Sequence, residues 1–216
     1  VAHDNRGVVS CGADGDVVSW RFELVKDDQT GLKHLALAEG ERTHLESDAL
    51  CVAQCGTGKY IAAALMDATV KVYFRDTMKF YLSLYGHKLP VLCIDMSSDG
   101  TLLVSGSADK NIKIWGLDFG DCHRSLFAHT DSVMQVAFVK NTHFFFSAGK
   151  DRMVKYWDAD KFEHVMTLSG HFGEVWGLAV SSDGEMVVSC AQDRSIRVWE
   201  RTDEQLFLEE ERELEL

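Results

Sequence analysis

The chain of 216 residues contains 46% hydrophobic residues and has a formal net charge of −12 at pH 7. This composition is typical of a globular domain rather than a disordered segment, and no apolar run approaches the roughly 20 residues needed to span a bilayer. Residues 203–216, with seven acidic residues and one arginine, carry half of the negative charge, so the remainder is only mildly acidic and does not predict a broad nucleic-acid-binding surface.

A repeat of 42 residues runs through most of the chain. A histidine, an aspartate and a tryptophan recur at this spacing in its last three copies: His87, Asp109 and Trp115; His129, Asp151 and Trp157; His171, Asp193 and Trp199. A period in the low forties with these residue types is the signature of a WD40 blade, which is one four-stranded sheet of a β-propeller. We therefore predict an all-β WD40 propeller, with about five blades present and the ring incomplete.

The first predicted blade, at about 1–46, is the least regular. Only Asp14 and Trp20 stand in register with the later repeats, and an insertion at about 27–31 precedes the outer strand. The blade lacks an opening strand, and an open stack of blades would leave an apolar face uncovered at its end. Because the chain also begins at Val1 without a secretory signal, we expect it to be part of a longer protein whose upstream residues complete the ring.

The four later blades are predicted at about 47–85, 86–127, 128–169 and 170–202. The second blade keeps the spacing through Asp67 and Tyr73 but has no Gly-His pair. In the third, alternating apolar runs between turn residues predict four strands, at 91–96, 102–105, 112–115 and about 122–127. Residues 203–216 are rich in charged helix formers, and we predict a short acidic helix that leaves the ring.

Several of the cysteines lie in strand-like runs, and we expect buried thiols in a reducing compartment. The cysteines are Cys11, Cys51, Cys55, Cys93, Cys122 and Cys190. Cys51 and Cys55 have no second pair with which to form a zinc site, and histidines in separate blades cannot converge on one metal ion. The sequence therefore predicts neither a metal site nor a cofactor.

Each of the last three repeats contains a serine, a histidine and an aspartate that could be mistaken for a catalytic set. Hydrogen-bond chemistry favours a structural role, because a chain from tryptophan through serine and histidine to aspartate satisfies every polar group, whereas a buried aspartate without partners is costly. A catalytic site need not be built three times at equal spacing. We predict no catalytic residues, and structural clamps formed by His87, Ser105, Asp109, Trp115, His129, Ser147, Asp151, Trp157, His171, Ser189, Asp193 and Trp199.

Basic residues recur with the same period. They are Lys71, Lys110, Lys113, Arg152, Lys155, Arg194 and Arg197. Such a stripe could bind phosphate, but cations are common at these positions of WD40 repeats, and the sequence alone favours a solvated face. The segment GlyThrGlyLys at 56–59 lacks the rest of a phosphate-binding loop, and it aligns with a hairpin turn of the next blade.

One rim of the predicted ring carries large apolar residues. The residues that flank the first valine of each inner strand, and the residue before each clamp aspartate, should face the same opening. We assign to a partner-binding rim the residues Met66, Leu92, Met134, Lys150, Glu174, Trp176 and Gln192. Tryptophan and methionine gain nothing from the core at such a place, so a partner is expected to cover them; the alternative is that Trp176 packs against a neighbouring blade.

Three stretches of the sequence resemble one particular family among the WD40 proteins. Residues 115–126, 149–163 and 199–213 resemble the later part of the second propeller in a nucleolar family of the small-subunit processome, whose members belong to the UTP-B complex. The resemblance implies two tandem propellers and a helical carboxyl-terminal domain after the acidic segment. It also implies small nucleolar RNA binding and a role in pre-ribosomal RNA processing in the nucleolus.

The leading hypothesis is accordingly a non-catalytic scaffold of the small-subunit processome that acts in pre-rRNA processing and 40S ribosome biogenesis. Its expected partners are other UTP-B and processome proteins, with the pre-ribosomal ribonucleoprotein contacted indirectly and with neither a membrane nor a small-molecule substrate. The alternative is a generic WD40 peptide-binding adaptor in ubiquitin-ligase or signalling assemblies. A propeller enzyme is disfavoured, because no catalytic constellation stands out from the sequence.

Overall fold

The computed structural model describes residues 7–26 and 32–202, which form eighteen β-strands in five antiparallel sheets. The predicted all-β propeller architecture is therefore confirmed, with each sheet corresponding to one blade. The helix predicted at 203–216 and the insertion predicted at 27–31 lie outside the described residues.

Strands that follow one another in the chain pair with each other, so each sheet is an antiparallel meander. The first sheet contains β1 (Gly7–Cys11), β2 (Asp16–Lys26) and β3 (Lys33–His44). The second contains β4 (Ala49–Gln54), β5 (Tyr60–Leu65), β6 (Val70–Phe74) and β7 (Phe80–Leu84). The third contains β8 (Val91–Met96), β9 (Leu102–Ser107), β10 (Asn111–Gly116) and β11 (Cys122–Phe127). The fourth contains β12 (Val133–Phe138), β13 (Phe144–Gly149), β14 (Val154–Asp158) and β15 (Glu163–Leu168), and the fifth contains β16 (Val175–Val180), β17 (Met186–Ala191) and β18 (Ile196–Glu200).

The turn between the second and third strands has the same chemistry in successive sheets. In the third sheet the Asp109 carboxylate accepts a hydrogen bond from the Asn111 backbone N–H (3.0 Å), and Lys110 between them has a φ of 71°. Arg152 and Arg194 hold the same left-handed position, at 73° and 65°. An aspartate that bonds the backbone two residues further on stabilises such a turn, so this residue has a local role in addition to its contact with histidine.

The hydrophobic cores lie between consecutive sheets. Trp115 of β10 packs against Leu84 and Val70 of the preceding sheet, and Trp157 of β14 packs in the same way against Ile112. Trp115 and Trp157 are 1% and 4% exposed. Truncating a buried ring of this size typically costs about 3–5 kcal/mol, so each tryptophan is a principal link between two neighbouring sheets.

The first and last sheets have three strands each in the described residues. In the first, Trp20 of β2 donates to Ser10 of β1 across ten residues, as Trp115 of β10 donates to Ser105 of β9. The strands β1 to β3 therefore correspond to the second, third and fourth strands of a complete blade. The fifth sheet holds the first three strands, which place Trp199 on β18.

No described residue of another sheet covers one face of the fifth sheet. Val104 and Phe146 occupy equivalent positions of the third and fourth sheets, and they are 0% and 9% exposed because the next sheet packs on them. Val188, at the same position of the fifth sheet, is 37% exposed. Ile196 is 73% exposed, whereas its counterpart Val154 is fully buried. The face of the fifth sheet thus has the pattern of an interface between blades without a covering blade in the structure.

In the part of the chain that the structure describes, the hairpin formed by β2 and β3 extends beyond β1. Within the described residues, β1 pairs with β2 only as far as Arg21, while β2 and β3 continue to pair from Phe22 with Leu37 to Lys26 with Lys33. One side of this arm consists of the exposed residues Phe22, Leu24, Leu35 and Leu37.

The expectation that all cysteines are buried is wrong for two of them. Cys55 and Cys93 are buried, and all six thiols are free, but Cys122 and Cys190 are exposed. Cys122 lies on an outermost strand, where side chains face solvent. Cys190 lies on the uncovered face of the fifth sheet. Its counterpart one repeat earlier, Ala148, is fully buried.

Candidate partner-binding rim

The third sheet and the fourth sheet each contain a hydrogen-bond chain of four residues that links parts of the same blade. In the third, Trp115 Nε1–H donates to Ser105 Oγ (2.8 Å), Ser105 Oγ lies 2.8 Å from His87 Nε2, and His87 Nδ1 lies 2.9 Å from Asp109 Oδ2. The fourth sheet repeats the arrangement with distances of 2.9, 2.8 and 2.9 Å in the set Trp157, Ser147, His129 and Asp151. Each chain ties the loop before the inner strand to the second and third strands of the same blade.

The fifth sheet has a variant of this chain. Trp199 Nε1–H donates to Ser189 Oγ (2.8 Å), which lies 2.7 Å from His171 Nε2. His171 Nδ1 then lies 3.1 Å from Ser195 Oγ and 3.5 Å from Asp193, and Ser195 Oγ–H donates to Asp193 (2.6 Å). Ser195 therefore relays the contact between the histidine and the aspartate, a role that the sequence spacing did not reveal.

Burial and hydrogen bonding shift the pKa values of the clamp carboxylates in opposite directions. Burial by itself would raise the pKa of Asp109, but hydrogen bonds from the Lys88 backbone N–H and from His87 bring this pKa below its ordinary value. The pKa of Asp151 is lowered in the same way against burial, chiefly by His129. Burial lowers the pKa of His87, and its contact with Asp109 opposes this only in part. In the third sheet the two shifts together favour the ionised form of Asp109 and the neutral form of His87.

The histidine lies between the serine and the aspartate, as it does in a catalytic triad, but the serine hydroxyl is not accessible to a substrate. Ser105, Ser147 and Ser189 are all 0% exposed. Each serine oxygen also accepts a hydrogen bond from a tryptophan indole. Each set links the strands and the loop of its own blade and cannot present a nucleophile to a substrate.

The second sheet replaces the clamp with apolar contacts. At the positions equivalent to histidine, serine and tryptophan it has Leu45, Ala63 and Tyr73, which pack together in one buried cluster. Asp67 remains and accepts hydrogen bonds from the backbone N–H and the hydroxyl of Thr69. Replacing all the polar partners together leaves no buried donor or acceptor unpaired, so the blade tolerates the loss of the clamp.

Large apolar residues occur at β-bulges on the innermost strands. In β12 the pairing register shifts between Val133 and Gln135, so that Met134 is the extra residue of the bulge. The same shift in β8 and β16 isolates Leu92 and Trp176. A bulge turns a side chain away from the regular alternation of a strand, and here it directs the extra residue of each inner strand to the same end of the propeller.

The residue before each clamp aspartate lies beside the bulge of its own sheet. The Lys150 backbone N–H donates to the Ser132 carbonyl (3.0 Å), and the Gln192 N–H donates to the Glu174 carbonyl (2.8 Å). The Met66 N–H makes the equivalent bond to Asp48 (3.0 Å). In the second, fourth and fifth sheets the structure therefore brings together the two kinds of position from which the partner-binding rim was assigned.

Trp176 stands at the rim rather than in the core, and 48% of its surface is exposed. The Lys150 ammonium of the preceding sheet lies 5.3 Å from the centre of its ring and 3.9 Å from the Glu174 carboxylate. The lysine therefore covers part of the indole and leaves the remainder accessible. Met66 is 47% exposed, while Leu92 and Met134 are half-buried.

The sequence analysis missed Leu50. This residue is the extra residue of the bulge in β4 and is 38% exposed, so it stands in the same position as Leu92 in the next sheet. The signal was available, because Leu50 lies one period of 42 residues before Leu92. It went unused because the second blade has no Gly-His pair to mark where its inner strand begins.

The described residues hold no cluster of three or more His, Cys, Asp or Glu side chains suited to a metal ion. In the same part of the chain, no helix has the length and apolar character needed to cross a membrane.

Comparison with known proteins relates the chain to one family of propellers. A family model described as the WDR3 second beta-propeller domain matches residues 1–206. Human WD repeat-containing protein 3 is 58% identical over 88 residues, which are 41% of this chain and 9% of that protein. The U3 small nucleolar RNA-associated protein 12 of Saccharomyces cerevisiae is 53% identical over 94 residues, which are 41% of this chain and 10% of that protein. The aligned part of the chain thus spans about a tenth of the length of these curated relatives.

A solved propeller has the same fold. The structure of U3-55K aligns with a TM-score of 0.77 and 23% sequence identity, covering 93% of this chain and 59% of that one. At this level of identity the likeness concerns the fold alone.

Proposed function

The chain belongs to the family of the WDR3 second beta-propeller domain, and on that premise we propose that it is part of a non-catalytic scaffold of the small-subunit processome. In this proposal it acts in the nucleolus, within the UTP-B complex, in pre-rRNA processing and 40S ribosome biogenesis. The observation that carries the proposal is the family match over residues 1–206. The 53% identity to a yeast protein named for its association with U3 small nucleolar RNA supports it.

The geometry supports a binding role rather than a chemical one. The polar sets that resemble catalytic triads are buried and fully paired, whereas the rim presents accessible apolar groups beside charged ones. Trp176, Lys150 and Glu174 combine an aromatic anchor with a polar surround, an arrangement typical of interface hot spots. In the proposal this rim receives a segment of another processome subunit.

Affinity purification of the intact protein from nucleolar extract tests the assignment. We expect other UTP-B subunits and pre-ribosomal RNA to co-purify with it. Recovery of one dominant peptide partner from a ubiquitin-ligase or signalling assembly, without processome proteins, would favour the alternative of a generic adaptor.

The substitution Trp176→Ala tests the rim itself. We expect the variant to fold normally and to bind processome subunits about thirtyfold more weakly, because truncation of a hot-spot residue costs about 2 kcal/mol or more. Phe119→Ala is the matched control, since Phe119 is 88% exposed in the turn after β10, at the other end of the sheet. If Trp176→Ala melts early and binding falls only in proportion, Trp176 belongs to the core and the rim assignment is wrong.

A further inference from the structure

One histidine links the third sheet to the fourth at the end opposite the rim. His143 lies in the turn between β12 and β13 of the fourth sheet. Its Nδ1 lies 2.7 Å from Asp160 Oδ1, in the turn after β14 of the same sheet, and its Nε2 lies 3.1 Å from Asp99 Oδ2, in the turn between β8 and β9 of the third sheet. These three residues form a clasp between two neighbouring blades.

Both nitrogens of the His143 ring need a proton for the clasp to be satisfied. An ionised carboxylate only accepts hydrogen bonds, and a neutral imidazole has a single N–H to donate. A neutral His143 could therefore bond only one of its two carboxylates, and its bare nitrogen would face the lone pairs of the other. The imidazolium form donates to both, so the contact with two carboxylates selects the protonated ring.

The surroundings favour the charged forms of His143 and Asp99. Burial by itself would lower the pKa of His143, but its hydrogen bonds to Asp160 and Asp99 raise this pKa above the ordinary value of 6.5. Burial by itself would raise the pKa of Asp99, but hydrogen bonds from Ser97, Thr101 and His143 bring it well below its ordinary value. The His143 side chain is 29% exposed and lines a cleft of about 520 Å³, so the ring exchanges protons with solvent.

Other charged groups surround the clasp on the elements that pack together here. In the turn after β14, the Lys161 ammonium lies 3.9 Å from the Asp158 carboxylate, so these two charges compensate each other. Lys140, in the same turn as the histidine, is exposed and screened by solvent. Asp95 of β8 bonds the Phe138 backbone N–H of β12 across the same junction, and burial raises its pKa to about 6. The two carboxylates in direct contact with the ring therefore dominate its titration.

The clasp distinguishes this junction from its two neighbours. Across the junction of the second and third sheets, the residues equivalent to its aspartate and histidine are Thr57 and Thr101. Across the junction of the fourth and fifth sheets they are Asn141 and Glu185. Neither pair contains a histidine, so a change of pH near neutrality acts on these positions only between the third and fourth sheets.

We propose that His143 is a pH-operated clasp, in which the doubly protonated ring holds the third and fourth blades together and loss of one proton releases one carboxylate and loosens the junction. Its direction follows from linkage. Because the folded protein binds this proton more tightly than the unfolded chain, the stabilisation is fully present below about pH 6.5 and is lost as the pH rises through the raised pKa of the folded state. The inference goes beyond the proposed function and does not depend on it.

NMR titration of the intact protein with carbon-13-labelled histidine tests the protonation of the ring. The signal of His143 is identified by its loss in the variant His143→Gln. We expect this signal to titrate above pH 6.5 in the wild type and at lower pH in Asp160→Asn, because that variant keeps the size of the side chain and removes one negative charge. A midpoint at or below 6.5 in the wild type would overturn the proposal.

Hydrogen exchange, followed by mass spectrometry, tests the loosening of the junction. The Asn141 backbone N–H donates to Ser98 Oγ across the junction (3.0 Å), so protection of residues 139–143, corrected for intrinsic rates, reports its opening. Between about pH 5.5 and pH 8, protection should fall about fivefold more in the wild type than in His143→Gln, which is the upper range for a partly exposed charge pair. Asp95 is present in both proteins, so its titration cancels in the comparison.

The hairpin at residues 181–185 is the matched control. Its Asp183 accepts hydrogen bonds from Ser181 and from the Glu185 backbone N–H, as Asp99 does in its own turn, but Glu185 stands in place of the histidine. Protection of this hairpin should depend on pH equally in the wild type and in His143→Gln.

Two results of the exchange experiment would contradict the clasp. Equal pH dependence of residues 139–143 in the wild type and in His143→Gln would show that the protonated ring does not hold the junction. An equal excess of opening in the control hairpin would indicate loosening of the whole molecule. Thermal melting shows whether His143→Gln folds, and if it does not, Asp160→Asn takes its place, with the same reduced pH dependence expected and the same two results against the proposal.

Discussion

The polar groups of the clamp residues satisfy one another's hydrogen bonds only when the whole set is present. The indole of Trp157 is a donor and the carboxylate of Asp151 is an acceptor. Ser147 and His129 lie between them, and each makes a hydrogen bond on both sides. Their spacing in the sequence was sufficient to predict the chains in the third and fourth sheets. It was not sufficient for the fifth sheet, because a serine two residues after an aspartate is equally suited to an ordinary turn, and only the fold shows that Ser195 intervenes.

The substitution Asp151→Ala should destabilise the protein rather than alter any chemistry. It leaves the His129 N–H and the Thr130 backbone N–H without their acceptor, at a cost of about 1–3 kcal/mol in the free energy of unfolding. Thermal and urea denaturation of the variant measure this loss. Asp67→Ala is the control, since Asp67 accepts hydrogen bonds from Thr69 and its blade has leucine in place of the clamp histidine. An equal effect in both variants would show that the aspartate acts through its turn alone.

Individual strands differ from the repeat in ways that the period did not predict. At each bulge the inner strand has one residue more than the strand with which it pairs. This extra residue, Met134 in β12 and its equivalents in the other inner strands, lies at the rim. Periodicity could assign the rim positions, because each kind of position recurs at the same place in successive repeats, but it could not give their exposure. The pairing of β2 with β3 from Phe22 to Lys26 was not predicted, because the sequence indicated only an insertion at about 27–31 before the outer strand.

Asp95 links one inner strand to the next. Its carboxylate accepts hydrogen bonds from the Phe138 backbone N–H of β12 (2.7 Å) and from its neighbour Met96 (2.9 Å). The equivalent residues of the adjacent sheets, Ala53 and Ala137, are apolar. Burial raises the pKa of Asp95 to about 6, and the two backbone hydrogen bonds oppose this shift only in part.

This buried carboxylate should make the stability of the protein depend on pH. Because the pKa of Asp95 in the folded state lies above the ordinary value of 3.8, the native state binds the proton more tightly than the unfolded chain. The resulting stability is fully present below about pH 4 and is lost as the pH rises through about 6. Asp95→Asn keeps an acceptor oxygen for Phe138 and cannot titrate.

Between about pH 4 and pH 7, the free energy of unfolding of the wild type should therefore fall by up to about 3 kcal/mol relative to Asp95→Asn. Urea denaturation of both proteins across this range measures the difference. Parallel stability curves would show that Asp95 titrates normally and that water reaches its carboxylate.

At the scale of the whole molecule, the two terminal sheets differ from the three between them. The middle sheets bury apolar side chains on both faces, whereas the fifth exposes Met186, Val188, Ile196 and Val198. Covering a large aliphatic side chain stabilises a protein by about 1.5–3 kcal/mol, so this face is a costly surface to leave in water. The sequence predicted an incomplete ring from the missing strand of the first blade. The uncovered face supports the same expectation from the other end.

We expect a further blade to cover the fifth sheet in a longer protein that includes the neighbouring part of the ring. Cys190 reports on this directly, because it lies on the uncovered face and its counterpart Ala148 is fully buried against the next sheet. Cys122 is the internal control, since it is exposed on an outermost strand that no neighbouring blade covers. With a maleimide reagent under native conditions, both thiols of the 216-residue chain should react, whereas in the longer protein Cys190 should become protected and Cys122 should remain reactive.

Mass spectrometry of the labelled peptides gives the ratio of the two rates within one sample, so differences in reagent or pH cancel. Equal labelling of Cys190 in both proteins would mean that the ring stays open at this face, and the exposed residues would then form a docking surface for a separate chain.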